Sequence, residues 1–596
     1  MTLCWPDLIL PPINLLNVWA LNGDWRYIMQ EIKQHGPQLP ISEEIHSRKY
    51  RLIGESFREA MSRVAGALED DPEHFQAYRA LLLEQKFLPA GRVQSAMGSP
   101  RKVTAFNCFV SRTIDDSMEG IMLAATEAAT TMRMGGGIGY DFSTLRPRDA
   151  MIVSLNSKSS GPISFMEIFN AVCKTIASAG QRRGAQMGVM RVDHPDIEEF
   201  IEAKANTTDF TQFNLSVGVT DAFMRAVEAC TDFELTFKGT VYKRVDARYL
   251  WEKLMRATWD WAEPGILFID RINEMNNLWY CENIAATNPC GEQPLPPHGA
   301  CLLGSWNLVK YLVKGDDGKF TFDWDQFRID IPVAVRAQDN IIDRTIYPLE
   351  QQRLEALAKR RMGIGYTGLA NAGEALGYSY GSKEFLAFQE AVAAMLVNET
   401  YRASAMLAKE KGCFPMFTDE YLKGKFIKQL DDDVQALIED HGIRNSHLIS
   451  IAPTGTISLT ADNISSGCEP VFSHFYDRTV LADDGSAVVE RVSDYGYRVL
   501  GVKGKTADEC TIDEHLNVLI NASKWVDSAV SKTLNVGADV SWEDFKNIYM
   551  RAWKAGCKGC TTFRAAGKRY GVLNKVEDKD ATACYIDLAT GKKTCE

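Results

Sequence analysis

An amide, a thiol and a carboxylate lie within five residues of one another at Asn288, Cys290 and Glu292. A second thiol, Cys301, follows beyond a segment rich in proline and glycine, which cannot continue a helix and therefore predicts a rigid loop. A loop that presents a cysteine beside a glutamate can support radical, nucleophilic or acid/base chemistry. Considered alone, these residues fit equally well a structural turn with a buried, inert cysteine.

Cysteines elsewhere in the chain bear on this choice. Cys108 lies in a short apolar run, residues 106–110, which predicts a buried strand, and a cysteine in such a strand is most often a core residue. Cys557, Cys560, Cys584 and Cys595 could together bind zinc, but zinc sites usually show two tight cysteine pairs and this sequence has one. Since the chain turns polar after residue 572, as a flexible tail would, Cys584 and Cys595 suit thiol–disulfide exchange better. We therefore predict no metal site.

Two segments have the composition of loops that bind phosphate. Residues 449–459 predict an apolar strand that runs into a Thr/Gly/Ser turn and opens a helix, where hydroxyls and free backbone N–H groups form a phosphate cradle or simply cap the helix. Residues 180–188 place two arginines between glycines, which indicates either a cationic loop suited to phosphate or a base edge, or a solvated basic turn. The residues of interest are Pro453, Thr454, Gly455, Thr456, Ile457 and Ser458 in the first segment, and Gln181, Arg182 and Arg183 in the second.

The composition excludes several classes of protein. The 596-residue chain is 45% hydrophobic and 24% charged, as in ordinary globular proteins. Its net charge of −12 argues against a general nucleic-acid binder, whose surface would be basic. No apolar run approaches the roughly 20 residues of a membrane helix, the N-terminus has no basic leader, and the 14 cysteines form no compact disulfide framework. We expect a soluble, cytoplasmic protein that binds neither nucleic acid nor membrane.

The elements that must position these residues are predicted from hydrophobic periodicity. Residues 1–86 are expected to form a helical N-terminal region. Strands alternate with helices over residues 90–545, which favours an α/β barrel or a doubly wound sheet. A glycine-rich segment at residues 134–140 lacks the dinucleotide-binding spacing, and its glycines would let backbone approach a ligand closely or turn tightly.

Taken together, the segments resemble the catalytic chain of ribonucleotide reductase, and specifically the adenosylcobalamin-dependent class II enzymes. The resemblance covers roughly residues 45–572 and rests on several family-typical motifs in the right order, at residues 288–292, 301–308, 182–188, 193–197, 361–365 and 453–458. It implies an α/β fold: a ten-stranded α/β barrel at residues 87–572 with a central finger loop, after the helical region 1–86 and before a redox-active tail at residues 573–596.

The resemblance also implies roles for single residues. Cys290 would carry the thiyl radical that abstracts the ribose 3′ hydrogen, Glu292 would take the 3′-hydroxyl proton, and Asn288 would hydrogen-bond the reacting hydroxyls. Cys108 and Cys301 would be the thiol pair that reduces the 2′ position and ends as a disulfide. Residues 453–458 would bind the substrate phosphates.

Cofactor, regulation and partners follow from the same resemblance. We expect adenosylcobalamin as the cofactor, a ribonucleotide substrate in diphosphate form, and a homodimer. A deoxynucleotide effector would bind near Lys158, Gln181, Arg182 and Arg183. Cys584 and Cys595 would act as a shuttle that passes electrons from a thioredoxin-like or dithiol reductant to Cys108 and Cys301.

Two alternatives remain open at this point. Class I catalytic subunits carry two adjacent tyrosines near the C-terminus, which relay a radical from a second subunit. The corresponding positions here are Thr561 and Thr562, which cannot carry an electron hole at an accessible potential. A nucleotide-binding regulatory protein that kept the fold and lost the chemistry is the other alternative, and the intact set of Cys, Glu and Asn residues argues against it.

Overall fold

The structure is a computed structural model. It describes residues 36–178, 182–183, 185–205, 209–481, 487–564, 567–568, 574–575, 584–587 and 592–595. Gln181 is the one predicted site residue that lies outside these ranges.

Helices surround a central sheet in the described part of the chain. They are α1 Pro40–Tyr50, α2 Phe57–Leu68, α3 Pro72–Leu83, α4 Gly91–Ala96, α5 Met118–Arg133, α6 Pro162–Thr175, α7 Ile197–Glu202, α8 Asp221–Ala229, α9 Ala247–Trp261, α10 Ile269–Glu274, α11 Trp324–Arg344, α12 Glu350–Lys359, α13 Leu369–Ala375, α14 Lys383–Lys411, α15 Asp432–His441, α16 Gly455–Thr460, α17 Ile512–Lys524 and α18 Trp542–Lys554.

The strands fall into one large sheet and several small ones. The large sheet contains β1 Phe87–Pro89, β2 Cys108–Val110, β3 Gly137–Asp141, β8 Gln186–Arg191, β9 Phe213–Val219, β12 Gly265–Phe268, β15 Ala300–Asn307, β18 Met362–Thr367, β21 Thr533–Val536 and β22 Gly559–Arg564. The small sheets contain β4 Met151–Ile152, β5 Ser157–Lys158, β6 Ala177–Ser178, β7 Arg182–Arg183, β10 Asp232–Phe237, β11 Thr240–Asp246, β13 Ala286–Thr287, β14 Pro294–Leu295, β16 Leu312–Lys314, β17 Phe320–Phe322, β19 Phe475–Leu481, β20 Ala487–Ser493, β23 Asn574–Lys575, β24 Cys584–Asp587 and β25 Lys592–Cys595.

The N-terminal helices begin at residues that satisfy their free backbone donors. Ser56 and Glu59 form a reciprocal capping box at the start of α2, and Asp71 caps α3, whose first residue is Pro72. The buried face of α2 consists of small and apolar residues at helical spacing. Both helices contact α11, so this region packs against the outside of the sheet.

The large sheet consists of two sets of parallel strands. In the first set, β2, β3, β8, β9 and β12 pair in parallel with one another. In the second set, β15 pairs in parallel with β18, and β21 with β22. The two sets run in opposite directions, because β15 pairs antiparallel with β2 and β22 antiparallel with β12.

Residues 447–451 lie between β18 and the chain that leads into β21, and they hydrogen-bond to both. Ile364 N donates to Leu448 O at 2.7 Å on one side, and Ser531 N donates to Ile451 O at 2.8 Å on the other. The Asp527 carboxylate holds this connection in place by accepting from the Leu448 backbone N–H at 2.6 Å. The predicted α/β fold with ten strands in one large sheet is confirmed. Residues 449–451 lie between β18 and the chain before β21 but make only isolated bridges, so the ladders among the described residues do not close the barrel, and the tenth strand, β1, pairs alongside β15.

Large side chains fill the space between the sheet and its helices. Trp306 of β15 is fully buried and contacts the rings of Phe87, Tyr311 and Phe327. Such a packed layer holds the strands rigidly and thereby fixes the residues on their inner face. No helix in the described residues is long and apolar enough to span a membrane.

Candidate active site

The stretch with Asn288, Cys290 and Glu292 forms the tip of a short hairpin, which we call the finger hairpin (residues 286–295). Its arms β13 and β14 pair antiparallel, with Ala286 opposite Leu295 and Thr287 opposite Pro294. The turn closes through Asn288 N, which donates to Gln293 O at 3.1 Å. Gly291 has φ of +83°, a left-handed conformation that favours glycine. The predicted rigid loop is therefore a hydrogen-bonded hairpin.

The finger hairpin hydrogen-bonds to both halves of the barrel. Asn214 on β9 donates from Nδ2 to the Pro289 carbonyl at 2.8 Å. From the second half, Ala529 N donates to the Glu292 carbonyl at 3.0 Å, and Ser450 Oγ accepts from Gln293 Nε2 at 2.7 Å. These contacts place the tip inside the barrel.

Glycines on the inner face of two strands make room for the finger hairpin. A Cβ atom on Gly139 of β3 would lie 1.9 Å from the Thr287 carbonyl oxygen. A Cβ atom on Gly363 of β18 would lie 2.3 Å from Gln293 Nε2. No larger residue fits at either position without displacing the hairpin. Gly139 therefore serves a close approach of backbone to backbone, whereas Gly363 leaves room for the Gln293 side chain.

Cys108, Asn288 and Glu292 form one hydrogen-bonded group. Asn288 Nδ2 donates to Cys108 Sγ at 3.2 Å, while Asn288 Oδ1 accepts from Gln293 N at 2.9 Å. Cys108 Sγ in turn donates toward Glu292 Oε1 at 3.8 Å. Cys108 and Glu292 are 3% and 1% exposed. A thiol, an amide and a carboxylate are thus held together at the tip of the finger hairpin.

Cys108 and Cys301 lie directly opposite each other on β2 and β15. Residues opposed in an antiparallel pair have Cα atoms about 4.5–5.5 Å apart, which is within the range of about 4.4–6.8 Å found in disulfides. Both side chains point to the same face of the sheet and both cysteines are free. The structure therefore brings together two thiols that can form a disulfide with little backbone movement.

Burial controls the ionisation of this thiol pair. It raises the pKa of Cys108 well above the usual value, and the nearby Glu292, Cys301 and Cys290 raise it further. It also raises the pKa of Cys301, whereas the positive charge of Arg361 acts in the opposite direction. Both groups are therefore neutral thiols at pH 7, able to donate hydrogen.

A cavity of about 2010 Å³ opens above these residues. Cys108, Asn288, Cys290 and Glu292 line it, and Cys290 is exposed at the tip of the finger hairpin. Sites for small molecules usually measure about 300–1,000 Å³. The cavity therefore has room for a nucleotide and a second, larger group. Its wall also includes Asn107, whose buried Oδ1 has no hydrogen-bond partner among the described residues and can accept from a ligand.

All six residues of the predicted phosphate loop line the same cavity, namely Pro453, Thr454, Gly455, Thr456, Ile457 and Ser458. The loop opens α16, and Thr454 adopts φ of +55° just before it. Thr454 Oγ1 shares a hydrogen bond with Thr367 Oγ1 at 2.9 Å and accepts a hydrogen bond from Gly467 N at 2.8 Å. Its side chain is therefore fixed in the scaffold, which leaves the backbone of the turn facing the cavity.

Three of the predicted effector residues, Lys158, Arg182 and Arg183, lie in short two-stranded sheets. Lys158, on β5, is exposed and forms an ion pair with Asp149 at 3.3 Å. Arg182 and Arg183 form β7, which pairs with Ser178 and Ala177 of β6. Lys158 does not belong to the cavity wall.

The predicted tail cysteines face each other in backbone register. Cys584 pairs with Cys595 at the ends of β24 and β25, which form an antiparallel hairpin. Cys557 and Cys560, by contrast, are both buried. No group of three or more His, Cys, Asp or Glu residues suited to a metal ion occurs among the described residues.

Several residues that shape the site were not predicted from the sequence. Gln293 directly follows Glu292 and could have been included with it, because both belong to one turn. Asn214 and Ser450 were given no role from the sequence, and Arg361 lies in a recognised motif without a predicted role, since the importance of all three depends on which strands become neighbours.

A family model described as "Ribonucleotide reductase, barrel domain" matches residues 106–563. The chain therefore belongs to the ribonucleotide reductase family. Within this family, the chain is similar to proteins named "Vitamin B12-dependent ribonucleoside-diphosphate reductase". It is 35% identical to the protein of that name from Mycobacterium tuberculosis (strain CDC 1551 / Oshkosh), over 89% of this chain and 79% of the relative's length. The Thermoplasma acidophilum protein of the same name is 33% identical over 93% of this chain and 74% of its own length.

A "Vitamin B12-dependent ribonucleotide reductase" from Streptomyces clavuligerus is 28% identical over 90% of this chain and 64% of its own length. The resemblance predicted from the sequence motifs is thereby confirmed, and the names of these relatives agree with the predicted class.

Proposed function

We propose that the chain is a ribonucleoside-diphosphate reductase that depends on adenosylcobalamin and converts ribonucleotides to 2′-deoxyribonucleotides. One observation carries the proposal: Cys290, Glu292, Asn288 and Cys108 meet on one cavity wall, with Cys301 opposite Cys108. The names of the similar proteins support both the substrate class and the cofactor.

The cavity fits the proposed cofactor. Its volume of about 2010 Å³ exceeds what a nucleotide needs, and the exposed thiol of Cys290 faces the open space. Asn535 on β21 and Val540 in the loop before α18 line the part of the wall available to a second large group. When bound, adenosylcobalamin supplies the radical chemistry that protein side chains cannot initiate by themselves.

In the proposed reaction, a thiyl radical on Cys290 abstracts the ribose 3′ hydrogen. Glu292 accepts the proton of the 3′-hydroxyl, and Asn288 hydrogen-bonds the reacting hydroxyls. Cys108 and Cys301 then supply two electrons and two hydrogens: one leaves with the 2′-hydroxyl as water, the other replaces it at C2′, and the two thiols become a disulfide. Glu292 returns its proton to the 3′-oxygen and Cys290 returns the abstracted hydrogen to C3′, which regenerates the thiyl radical. The raised thiol pKa values support this role, because a hydrogen donor must be protonated.

The finger hairpin explains how these groups can act on one sugar ring. Its tip is fixed by hydrogen bonds to Asn214, Ser450 and Ala529. Because folding has already fixed these groups, little further entropy is lost when they come together on the sugar during the reaction. The substrate phosphates would bind the turn at residues 453–458, on the same cavity wall.

A homodimer with an effector site forms part of the proposal. Helix α5 carries exposed Met118, Met122 and Leu123, and it contacts α6 and β6. Exposed apolar groups of this kind mark interaction surfaces. A second copy of the chain would cover this face, next to the hairpin with Arg182 and Arg183, where the deoxynucleotide effector would bind together with Lys158 and Gln181.

The tail would deliver electrons to the active site. Because Cys584 and Cys595 lie opposite each other in β24 and β25, they can close a disulfide between themselves. They would be oxidised in reducing Cys108–Cys301, and a thioredoxin-like protein or a small dithiol would reduce them again.

The test is turnover by the purified chain. With adenosylcobalamin, dithiothreitol and a ribonucleoside diphosphate, we expect 2′-deoxyribonucleotide product without any second subunit, and no product when the cofactor is omitted. A chain that stays inactive under these conditions, yet becomes active when a radical-generating subunit is added, would establish the class I alternative and overturn the proposal. Faster turnover of triphosphates would overturn the assignment of the substrate.

A further inference from the structure

An arginine, Arg361, lies beside the thiol pair immediately before the next strand, β18. The ladder between β15 and β18 pairs Leu302 with Met362, so Cys301 and Arg361 are neighbours one position earlier. Both belong to the same face as Gly363, which contacts the finger hairpin. Cys108, Cys301 and Arg361 therefore form a row across three adjacent chain segments on the inner face of the barrel.

Arg361 is held rigidly in this place. Its side chain is 2% exposed, and its Nη atoms pair with Glu282 and, at 2.6 Å, with Glu355. Lys359 pairs with the same two carboxylates at 2.8 and 3.0 Å, which closes a ring of four charges. The net charge of the ring is zero, and the guanidinium cannot turn away from the sheet.

One donor of Arg361 is not used by this ring. Its buried Nε has no hydrogen-bond partner among the residues that the structure describes. A buried donor without an acceptor is costly, and an anion formed nearby would satisfy it. A thiolate on Cys301 would be such an anion.

The two sulfurs of the pair have different surroundings. Cys108 lines the cavity, whereas Cys301 is 0% exposed and is absent from the described residues of the cavity wall. The charged groups that act on Cys301 are Arg361, which lowers its pKa, and Asp527, Glu292 and Glu355, which raise it. Arg361 is thus the cation that favours the Cys301 thiolate.

We propose that Arg361 is a positioning residue that gives the Cys108–Cys301 disulfide a direction: the reducing thiolate attacks Cys108, and Cys301 leaves beside the guanidinium. This inference rests on the proposed function, in which that disulfide forms at each turnover. Attack at Cys108 also follows from access, since Cys108 lines the cavity and Cys301 is not among its described lining residues.

The exchange balances as two steps. A thiolate of the dithiol reductant attacks Cys108 Sγ, a mixed disulfide forms, the Cys108–Cys301 bond breaks, and Cys301 departs as a thiolate. The second thiolate of the reductant then attacks its own partner sulfur in the mixed disulfide and releases Cys108. Both cysteines take up protons from solvent, and the reductant ends as a disulfide, oxidised by two electrons.

The direction of attack can be read directly from the full-length chain. In a variant with Cys584→Ser and Cys595→Ser, oxidation should produce the Cys108–Cys301 bond, verified by mass spectrometry of peptides. Brief reaction with glutathione, followed by acid and N-ethylmaleimide, should then place glutathione on Cys108 and maleimide on Cys301. Equal labelling, or glutathione mainly on Cys301, would overturn the inference.

Variants test the part played by the guanidinium. Arg361→Gln should slow reduction of the disulfide by dithiothreitol about tenfold, because a thiolate of higher pKa leaves more slowly. Arg361→Lys should restore most of the rate. Lys359→Gln is the matched control: it breaks the same ring of ion pairs but keeps the charge beside Cys301, and its rate should stay near that of the unmodified chain.

A pH profile separates the electrostatic role from a structural one. In the reduced chain, the midpoint for alkylation of Cys301 should move to higher pH in Arg361→Gln and stay in place in Lys359→Gln. An equal shift of the alkylation midpoint in the two variants, or no shift in either, would overturn the role of Arg361. Should Arg361→Gln fail to fold by circular dichroism, the labelling pattern with Arg361 intact still decides the direction of attack.

None of these measurements uses cobalamin or substrate. If no Cys108–Cys301 disulfide forms on oxidation, the dithiol assignment in the proposed function fails and the inference fails with it. If the disulfide forms but shows no preferred sulfur and no dependence on Arg361, the inference alone fails.

Discussion

Three cysteines of the site differ in what surrounds them. Cys290 is exposed at the tip of the finger hairpin, whereas Cys108 and Cys301 are buried on adjacent strands. Under the proposed mechanism Cys290 reacts with both a cofactor and a substrate, and such a residue needs the open position. Residues that store two electrons benefit from burial, because it keeps them protonated and shields them from oxidants.

Replacement of Cys290 tests this division. Cys290→Ser should lower turnover by about 10⁴-fold or more, since an alcohol cannot replace the thiol in hydrogen abstraction and the active-site groups act as a unit. The Cys108–Cys301 disulfide should still form on oxidation and be reduced by dithiothreitol at an unchanged rate. Both are measured on the purified chain, by product formation and by peptide mapping.

Cys281 provides the matched control, because it is also an exposed cysteine and lies outside the cavity wall. Cys281→Ser should retain the activity of the unmodified chain. Substantial turnover by Cys290→Ser would contradict the assignment of the radical to this residue.

At the scale of single elements, the position of the finger hairpin depends on the two strands beneath it. Gly139 on β3 and Gly363 on β18 lie under the hairpin where a side chain would collide with it. The position of Cys290 is therefore set by residues on strands far away in the sequence.

Gly139→Ala should displace the finger hairpin and lower turnover by about 10²-fold, because a shift of about 1 Å in a reacting group has an effect of that size. The added Cβ would otherwise lie 1.9 Å from the Thr287 carbonyl oxygen. Turnover and the far-ultraviolet circular dichroism spectrum would be measured together, and the spectrum should not change.

Gly218→Ala on β9 is the control for this substitution. Its Cβ would have its nearest neighbour at 3.7 Å, an ordinary contact. Activity near that of the unmodified chain is expected here. Equal loss in both variants would show that any added methyl group in the barrel is harmful and that the hairpin is not specifically displaced.

The sequence was sufficient to predict where some strands form, but not which neighbours they pair with. Residues 106–110 predicted a buried strand, and β2 occupies their second half. The strand predicted over residues 449–451 makes only isolated bridges, because its partners β18 and the chain before β21 lie on either side and cannot be read from periodicity. The glycines at residues 135–139 indicated a close approach, but that its partner is the hairpin follows only from the fold.

The same limit applies to the candidate site. The Pro/Gly-rich segment after Cys290 predicted a rigid loop, the closeness of Asn288, Cys290 and Glu292 indicated possible chemistry, and the resemblance supplied their partners Cys108 and Cys301. Arg361 was part of a recognised motif, yet its position beside Cys301 depends on the register of β15 and β18. Contacts between strands distant in sequence are set by long-range packing, which local patterns do not encode.

At the scale of the whole molecule, the exposed apolar residues of α5 need an explanation. Leu123 is 45% exposed, and the helix that carries it contacts the β6–β7 region through β6. A second copy of the chain packed on this face would place the effector region of one copy beside the interface, which would couple dimer formation to effector binding.

Leu123→Glu should weaken the dimer, with a dissociation constant raised at least about tenfold, because a charge would be buried in an apolar contact. Analytical ultracentrifugation measures this constant directly. Basal turnover should persist, while its response to a deoxynucleotide effector should diminish.

Ile329→Glu is the control on α11, where Ile329 is also 45% exposed. It should leave the dimer intact. An unmodified chain that sediments as a monomer at all concentrations, or equal effects of both variants, would contradict the proposed interface.

The anchoring of the finger hairpin has a consequence for the order in which the protein assembles. Its backbone and side chains bond to Asn214 in one half of the barrel and to Ser450 and Ala529 in the other. Neither half alone can therefore fix Cys290 next to Glu292 and Cys108. A nascent or partly unfolded chain has all these residues but lacks their geometry, so under the proposed mechanism the capacity to sustain a radical would arise only when the barrel is complete.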